Sequence, residues 1–478
     1  MLPKRKDLIF KEQVRLYNNL AQTGSCSGRL SVDLEVFPIP RIIWELEVLG
    51  ESQCNFLEKL VANEPIKPLL GHWFTIEKPF LTGLANDSIG PRTIFKGNTA
   101  QAYFGDRDHL AHTFAFYLPN ARFQAINVVG QKQITQRIEE GKEREHKGSD
   151  TIGRAVEVLL DDKWKLRLEI RKKALDWLGT EKRNIGSFIA TFGTLSSVKP
   201  STESNITRAS MSLNDGEKKF DTLRYLFSYA NGGYSRPLFV VAYHSNIGRT
   251  ETVAADAFGY PVTPLEQLST SWIAIDSDLS AYLQCFSILH RMLSSPPWDE
   301  AFSLILAWYF QATNLSRQWP IIANAIGTAL ERLSYTILVL EEQDIINRDK
   351  HELLFDIKSQ EKARKEWKLG KKYGGEHISV TGKRLKLLLE RIGLTKNRGH
   401  NDTEDVKAFL EVRNEATHPK PDAINCEEID RLLHQATQWI DEVILWRLGY
   451  NGKYLDRRGR WHVSIDPRYD LTTRALDW

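Results

Sequence analysis

The hydrophobic pattern divides the chain into a front part that alternates and a rear part with helical periodicity. Over residues 1–295, apolar and polar residues alternate in short runs, which is typical of strands with one buried face. Strands are predicted at Leu30–Val36, Ile42–Val48, Phe123–Val129, Ala155–Leu159, Trp164–Ile170, Phe188–Phe192, Pro237–Tyr243 and Ser271–Ile275. One helix is predicted at Glu217–Tyr229. The front part is therefore expected to be β-rich, as one domain or two.

Beyond Pro297, apolar residues recur every three or four positions almost to residue 448. Helices are predicted at Asp299–Thr313, Trp319–Glu342, Glu352–Leu369, Lys383–Ile392, Thr403–His418 and Glu427–Leu448. Asn425 and Glu428 are spaced as a capping box for the last of them. We predict an α+β protein, with a β-rich region at 1–295, an all-α bundle at 296–448 and an extended tail at 449–478.

Composition narrows the class of protein without identifying it. The 478 residues are 42% hydrophobic and 26% charged with a formal net charge of +3, which excludes a largely disordered chain. No apolar run reaches the ~18 residues needed to span a bilayer, and no signal peptide is recognised. Four cysteines, all far apart in sequence, suit a reducing compartment. We expect a cytoplasmic protein without membrane contact.

Common catalytic motifs are missing from the sequence. It contains no GxGxxG after a strand, no GxxxxGK[ST], no HExxH and no GxSxG. Asp106, Asp108, His109 and His112 could ligate a metal ion, because imidazole and carboxylate are common zinc ligands. The alternative is a polar turn with a solvated face, and this alternative is preferred. We therefore predict neither a metal nor another cofactor.

The rear part contains a second constellation, Val412-Arg-Asn-Glu-Ala-Thr-His-Pro419. Arginine with histidine suits RNA cleavage, since imidazole can relay the proton of a 2′-hydroxyl and guanidinium can hold the phosphate. On a helix, Glu411, Asn414 and His418 share one face, and Arg413 lies toward its edge. The helix is predicted to end near His418, because the residue before a proline disfavours helical backbone.

Spacing alone does not single out this motif. Arg107…His112 and Arg457…His462 have the same four intervening residues, but only Arg413…His418 lies on a predicted helix within a bundle. Arg413-Asn-Glu-Ala-Thr-His418, with a polar residue after the arginine, resembles the Arg-x(4–6)-His signature of HEPN domains. A preceding long helix with Ala329-Leu-Glu-Arg-Leu333 and the following helix 427–448 fit the same pattern. The resemblance covers about 150 residues.

The resemblance implies a metal-independent endoribonuclease whose site forms across a homodimer through the helical domain. It would place Arg413 on the scissile phosphate, His418 in proton transfer and Asn414 in orienting the site, with Glu331 lining it. Glu411 is a second site-lining candidate, because it shares a helix face with Asn414 and His418. A β-rich region joined to a C-terminal HEPN domain is similar to ApeA-type anti-phage proteins. That similarity implies abortive infection in antiviral defence, with an unknown phage or cellular trigger.

Basic charge is concentrated beside this motif. Between Lys358 and Arg398 there are 13 Lys and Arg residues against four Glu residues. Such a local excess is expected where RNA phosphates are held, and tRNA is one candidate substrate. The residues predicted to bind RNA are Lys365, Lys368, Lys371, Lys372, Lys383 and Arg384.

Two other interpretations remain open. The helical domain could be a catalytically silent module that binds RNA or protein, with Arg413 paired to Glu411 or Glu415. Alternatively, the β-rich half could be the functional part, binding a ligand or a protein while the bundle serves as a dimerisation platform.

Overall fold

The computed structural model describes two compact units of the chain. The described residues are 13–23, 26–35, 40–49, 64–68, 75–77, 79–86, 92–119, 152–171, 189–198, 209–246, 249–258, 262–263, 268, 271–273, 279–314, 318–341, 380–392, 402–418, 425–457 and 473–475. One unit comprises most of residues 1–268 and the other comprises residues from 269 onward. The first is β-rich and the second is mainly helical, so the predicted α+β class is confirmed.

The β-rich unit contains two antiparallel sheets. The first has the order β4-β1-β2-β3-β7-β6. Its strands are β1 (Gln13–Thr23), β2 (Cys26–Glu35), β3 (Arg41–Leu49), β4 (Lys67–Pro68), β6 (Phe80–Asn86) and β7 (Arg92–Thr99). Leu34 of β2 pairs with Ile42 of β3, and both side chains are fully buried. This register places the apolar residues of neighbouring strands on one face, as the alternating pattern predicts.

The second sheet has the order β10-β11-β12-β9-β13-β14-β8-β5. Its strands are β5 (Thr75–Glu77), β8 (Gln101–Gly105), β9 (Thr113–Pro119), β10 (Ile152–Leu159), β11 (Trp164–Arg171), β12 (Ile189–Ser197), β13 (Phe239–Asn246) and β14 (Arg249–Phe258). The hairpin predicted from Ala155–Leu159 and Trp164–Ile170 is confirmed as β10 and β11. Helix α1 (Leu213–Asn231) packs on this sheet through Phe220, whose ring contacts the rings of Phe114 and Phe116.

The helical unit is built from α-helices and one π-helical segment. The helices are α2 (Leu279–Gln284), α3 (Phe286–Leu293), α4 (Trp298–Ala312), α5 (Trp319–Tyr335), α6 (Val380–Arg391), α7 (Asp402–Thr417) and α8 (Cys426–Arg447). The π-helix Thr336–Glu341 continues directly from α5. A two-stranded antiparallel sheet follows, with strands β15 (Lys453–Leu455) and β16 (Thr473–Ala475). Within the described residues, none of the helices combines the length and apolar character needed to cross a bilayer.

Helix α5 is the central element of this unit, because it packs against α4, α6, α7 and α8. Pro320 in its first turn has no backbone N–H to lose there, and its fixed φ suits a helix start. Small buried residues such as Ala323, Ala325 and Ala329 allow neighbouring helices to approach closely. This packing brings side chains of α6 and α7 to the same stretch of α5.

The described part of the tail packs into the helical unit. The Arg457 side chain is 4% exposed and its Nε donates to Asp441 Oδ2 on α8 at 2.6 Å. Its Nη2 donates to the Tyr309 hydroxyl on α4 at 2.9 Å. The backbone N–H of Leu455 donates to the carbonyl of Trp272. The tail is therefore held by buried polar contacts as well as by apolar packing.

Some sequence predictions differ from the structure. Residues 271–273 are not in a strand, because Trp272 is fully buried against Tyr282 and Tyr450 in the helical unit. The division between units falls at 268–269 rather than at 295, since α2 and α3 belong to the helical side. The predicted helix Glu352–Leu369 and strand Phe123–Val129 lie outside the described residues.

The predicted capping box at the start of α8 is half correct. Asn425 is the N-cap, and its side-chain oxygen accepts a hydrogen bond from the Glu427 N–H. Glu428 does not close the box: its carboxylate accepts hydrogen bonds from Arg431 one turn later. The pKa of Glu428 is lowered, mainly by those hydrogen bonds.

Candidate functional site

The candidate site lies where α5 and α7 cross. Asn324, Gly327 and Glu331 recur at three and four positions along α5, so they share one face of the helix. On α7, Arg413 and Thr417 are four residues apart and face them. The Thr417 hydroxyl lies 3.2 Å from Asn324 Oδ1, and Arg413 Nη2 lies 3.3 Å from Glu331 Oε2. From Asn324 to Glu331 along α5, the partner on α7 changes from Thr417 back to Arg413. The two helices therefore run antiparallel where they cross.

Glycine at position 327 is what lets Arg413 lie across α5. A Cβ atom on Gly327 would stand 2.5 Å from Arg413 Cδ and 2.6 Å from its Nε. Both distances are shorter than a van der Waals contact, so any larger residue would displace the arginine. Glycine inside a helix costs stability relative to alanine, and here the close approach of the Arg413 side chain explains its presence.

Helix α6 adds two side chains to the site. Thr381 Oγ1 donates to Glu331 Oε1 at 3.2 Å, and Arg384 Nη2 lies 3.7 Å from the same oxygen. The Arg384 side chain is 2% exposed, whereas those of Glu331 and Arg413 are 38% and 27% exposed. The site is thus open to solvent on the Glu331–Arg413 side and closed beneath by α6.

The predicted catalytic residues of α7 have different positions in the structure. The helix ends at Thr417 as predicted, and the His418 N–H donates to the carbonyl of Asn414 at 2.8 Å. The Asn414 and His418 side chains are exposed. In the part of the chain that the structure describes, neither side chain is joined to Glu331 by a hydrogen bond or ion pair. Arg413 and Glu331 are brought together; Asn414 and His418 remain at the open helix end.

Glu411 faces away from this cluster. Its side chain is 63% exposed, and it pairs with Lys407 one turn earlier on α7 at 3.9 Å. Arg413 pairs with Glu331 rather than with Glu411 or Glu415, the two partners considered from sequence. The structure therefore places Glu331 beside Arg413, and it does not place Glu411 there.

Of the six residues predicted to bind RNA, the structure describes two. Lys365, Lys368, Lys371 and Lys372 lie outside the described residues. Lys383 is half-buried on α6, and Arg384 is buried beneath Glu331, so its guanidinium does not lie on an exposed phosphate-binding face. Burial lowers the pKa of Arg384, an effect opposed by the charge of Glu331. Charge counted along the sequence could not distinguish an exposed cation from one inside the bundle.

The other two Arg-x4-His matches are engaged elsewhere. Arg457 is enclosed by Asp441 and Tyr309, and Arg107 pairs with the buried carboxylate of Asp256 at 2.9 Å. Among the three arginines, Arg413 has the most exposed side chain, at 27% against 21% for Arg107 and 4% for Arg457.

The segment considered as a metal site forms a polar turn. Asp106 Oδ1 accepts from the Asp108 N–H at 3.0 Å, and Asp108 Oδ1 accepts from the Asn214 amide at 2.6 Å. The His109 and His112 rings both contact the ring of His244. Across the described ranges, no three His, Cys, Asp or Glu side chains are grouped so as to hold a metal ion.

Sequence reasoning missed Asn324, Gly327, Thr381 and Thr417. The available signal was the spacing of Asn324, Gly327 and Glu331 on an otherwise apolar helix, which marks one small and polar face. Thr381 carries no comparable signal, because its place depends on how α6 packs against α5. Finding it required the tertiary structure.

Comparison with known proteins bears on the helical unit alone. Residues 295–466 match the family model of the YopA C-terminal domain. No curated protein and no solved structure matches the chain significantly. The resemblance to HEPN and ApeA-type proteins stays a prediction. By this match, the chain is similar to a YopA C-terminal domain over a little more than a third of its length. The matched segment includes the whole candidate site.

Proposed function

We propose that the protein is a metal-independent endoribonuclease that acts through Arg413 and His418. The observation that carries this proposal is the partly exposed Arg413, held by Glu331 from another helix and placed five residues before His418 at the end of α7. An arginine fixed in this way can hold a phosphate through its remaining N–H groups. An exposed imidazole can move the 2′-hydroxyl proton near neutral pH.

In the proposed reaction, the RNA 2′-oxygen attacks the adjacent phosphorus and the bond to the 5′-oxygen breaks. His418 would serve in proton transfer, taking the 2′-hydroxyl proton or supplying one to the leaving oxygen. The products are a 2′,3′-cyclic phosphate and a free 5′-hydroxyl. Arg413 would stabilise the charge that builds on the non-bridging oxygens, and Asn414 would orient the substrate. No metal takes part in this scheme.

The proposal includes a homodimer formed through the helical unit. Leu304 and Trp308, one turn apart on α4, are 49% and 40% exposed and give this helix an apolar outer face. Sedimentation of the wild-type protein is expected to give a dimer, and Trp308→Glu is expected to shift it toward monomer. A wild-type protein that stays monomeric across the tested concentrations would contradict this part of the proposal.

The test of catalysis compares RNA from cells expressing wild type, Arg413→Ala or His418→Ala. Wild type is expected to fragment RNA, with tRNA examined first, and to leave 2′,3′-cyclic phosphate ends, while both variants are folded and inactive. His109→Ala is the matched control, because this exposed histidine lies in the β-rich unit and should leave cleavage unchanged. Because defence proteins of this kind act on a trigger, the comparison is repeated under phage challenge.

A second function is favoured if cleavage is absent but RNA binding remains. The same helix crossing would then serve a catalytically silent module that binds RNA through Arg413. Equal RNA integrity in wild type and His418→Ala under challenge, with binding lost only in Arg413→Ala, would establish that function. Regulation by the β-rich unit, and a role in antiviral defence in the cytoplasm, belong to the first proposal.

A further inference from the structure

The end of helix α7 is anchored differently from the rest of the helix. Val406, Phe409 and Val412 are buried, so apolar packing holds α7 up to this point. Residues 413–418 are half-buried or exposed. The last turn of an α-helix also opens more easily than its middle, because the final carbonyl groups have no partner within the helix. The turn that carries His418 is therefore positioned mainly by polar contacts.

Two polar contacts join this end of α7 to helix α5. One is the pair of Arg413 with Glu331 described above. The other is the hydrogen bond that the Thr417 hydroxyl donates to Asn324 Oδ1 at 3.2 Å. Thr417 directly precedes His418, so the second contact lies closer along the chain to the imidazole.

The acceptor on α5 is held in place by its own helix. Asn324 Nδ2 donates to the carbonyl of Pro320 one turn earlier at 3.0 Å. With the nitrogen of this amide engaged within α5, its oxygen is presented to α7. The Thr417 hydroxyl also lies 3.3 Å from the Arg413 carbonyl one turn earlier on α7. The hydroxyl thus lies between an acceptor on each helix and connects the two.

We propose that Asn324 is a positioning residue that acts through Thr417 to keep the end of α7 closed and His418 at a set distance from Arg413. The proposal rests on the function proposed above and adds helix α5 to it as the support of the histidine. Cleavage needs the imidazole near the 2′-oxygen while Arg413 holds the phosphate, and a misplacement of about 1 Å in such an arrangement lowers the rate strongly.

The first test removes the hydroxyl donor. Thr417→Val keeps the branched shape of the side chain but cannot donate, and we expect RNA fragmentation in expressing cells to slow about fivefold at equal protein levels, the factor for one ordinary hydrogen bond. Thr417→Ser keeps the hydroxyl and should cleave within about twofold of wild type. Thr328→Val is the matched control, because in the described residues this hydroxyl bonds within its own helix, to the Asn324 carbonyl at 2.8 Å.

Hydrogen exchange measures the state of the helix end without relying on cleavage. The His418 N–H donates to the Asn414 carbonyl at 2.8 Å, so its exchange reports whether the last turn is closed. In purified full-length protein, Thr417→Val and Asn324→Ala should each speed exchange of this amide about fivefold, and Thr417→Ser should not. Combining Thr417→Val with Asn324→Ala should add nothing, because both changes remove the same contact. Thermal unfolding checks that every variant is folded.

The outcomes separate this inference from the proposed ribonuclease. Unchanged exchange in folded Thr417→Val overturns the inference and leaves the ribonuclease standing if RNA is still cleaved. Faster exchange with unchanged cleavage also overturns it, because His418 would then act without support from α5. Equal slowing of cleavage in Thr328→Val overturns it as well, since that change leaves the contact between helices in place. Faster exchange in Thr417→Val and Asn324→Ala, with no cleavage by wild type, supports the positioning of His418 and removes the nuclease.

Discussion

Two of the arginine–carboxylate groups in the helical unit use the same chemistry in different surroundings. Arg457 and Asp441 are 4% and 0% exposed, and the Tyr309 hydroxyl accepts from the same guanidinium. Arg413 and Glu331 are 27% and 38% exposed, and their pair opens to solvent at the end of α7. The first group holds the tail against α4 and α8; the second leaves a cation within reach of a ligand.

Burial decides what each group can do. Removing one member of a closed pair strands the other in a poorly hydrated interior, which costs several kcal/mol. Removing one member of an open pair costs little, because water replaces it. An arginine that contributes little to folding but is held in one orientation is the kind expected in a binding site. The comparison leads to the following tests, in order of expected effect.

The largest expected effect is on the closed group. Arg457→Ala should lower the free energy of unfolding by about 3–5 kcal/mol, because Asp441 loses its partner in the core. Arg413→Ala, the matched change in the open group, should cost less than about 1 kcal/mol. Urea unfolding of both variants measures the difference. Similar losses in the two would show that the open and closed groups do not differ in this way.

A buried carboxylate in the β-rich unit extends the comparison of buried and exposed ion pairs to the dependence of stability on pH. Burial raises the pKa of Asp256 from 3.8 to about 6, although the charge and hydrogen bond of Arg107 oppose this. Between these values the folded protein holds a proton that the unfolded chain has released. The raised pKa of Asp256 therefore contributes roughly 3 kcal/mol to the free energy of unfolding below about pH 4. This contribution is lost as the pH rises toward 6.

Replacing Asp256 by Asn should remove this contribution to the pH dependence. The measurement is the difference in unfolding free energy between wild type and Asp256→Asn at several pH values from about 4 to 7. Relative to the variant, wild type is expected to lose stability as the pH rises through this range. Asp161→Asn, at a more exposed carboxylate paired with Lys219, serves as the control. Parallel pH profiles for wild type and Asp256→Asn would refute the raised pKa.

A smaller effect on stability is expected from replacing Gly327, and its sign depends on whether Arg413 is present. Gly327→Ala should lower stability by about 1 kcal/mol and reduce RNA binding, because the new methyl group displaces the arginine. In an Arg413→Ala background the same change should raise stability by up to about 1 kcal/mol, since alanine is then only a better helix former. Thr328→Ala, at the next position on α5, is the control. The same sign in both backgrounds would contradict the contact.

The smallest effect is expected at Glu411, which lies on the exposed side of α7. Glu411→Gln should change stability by less than about 0.5 kcal/mol and leave RNA binding and cleavage unchanged. Its partner Lys407 is also well exposed, and exposed pairs of this kind contribute little. A loss of activity in Glu411→Gln with unchanged stability would show that Glu411 belongs to the site.

The sequence alone determined the classes of the two regions and the positions of most described helices, but strands such as β1, β7 and β14 were not predicted. Alternation in Leu30–Val36 and Ile42–Val48 reproduces the side-chain period of a strand, and the periodic stripes of α5, α7 and α8 reproduce that of a helix. Helix ends were predicted closely where local chemistry fixes them, as at Asn425 and before Pro419. The Arg413…His418 motif was chosen from the sequence by its spacing together with its predicted helical context.

The tertiary structure decided which charged groups meet and which are buried. Glu331 is 82 residues from Arg413 in sequence, and Arg384 joins them through the packing of α6, so no local pattern reveals the cluster. Trp272 lies in a predicted strand, but burial against Tyr282 and Tyr450 overrides its local pattern. Periodicity depends on neighbours a few residues away, whereas contact and solvation depend on elements that the chain brings together only when it folds.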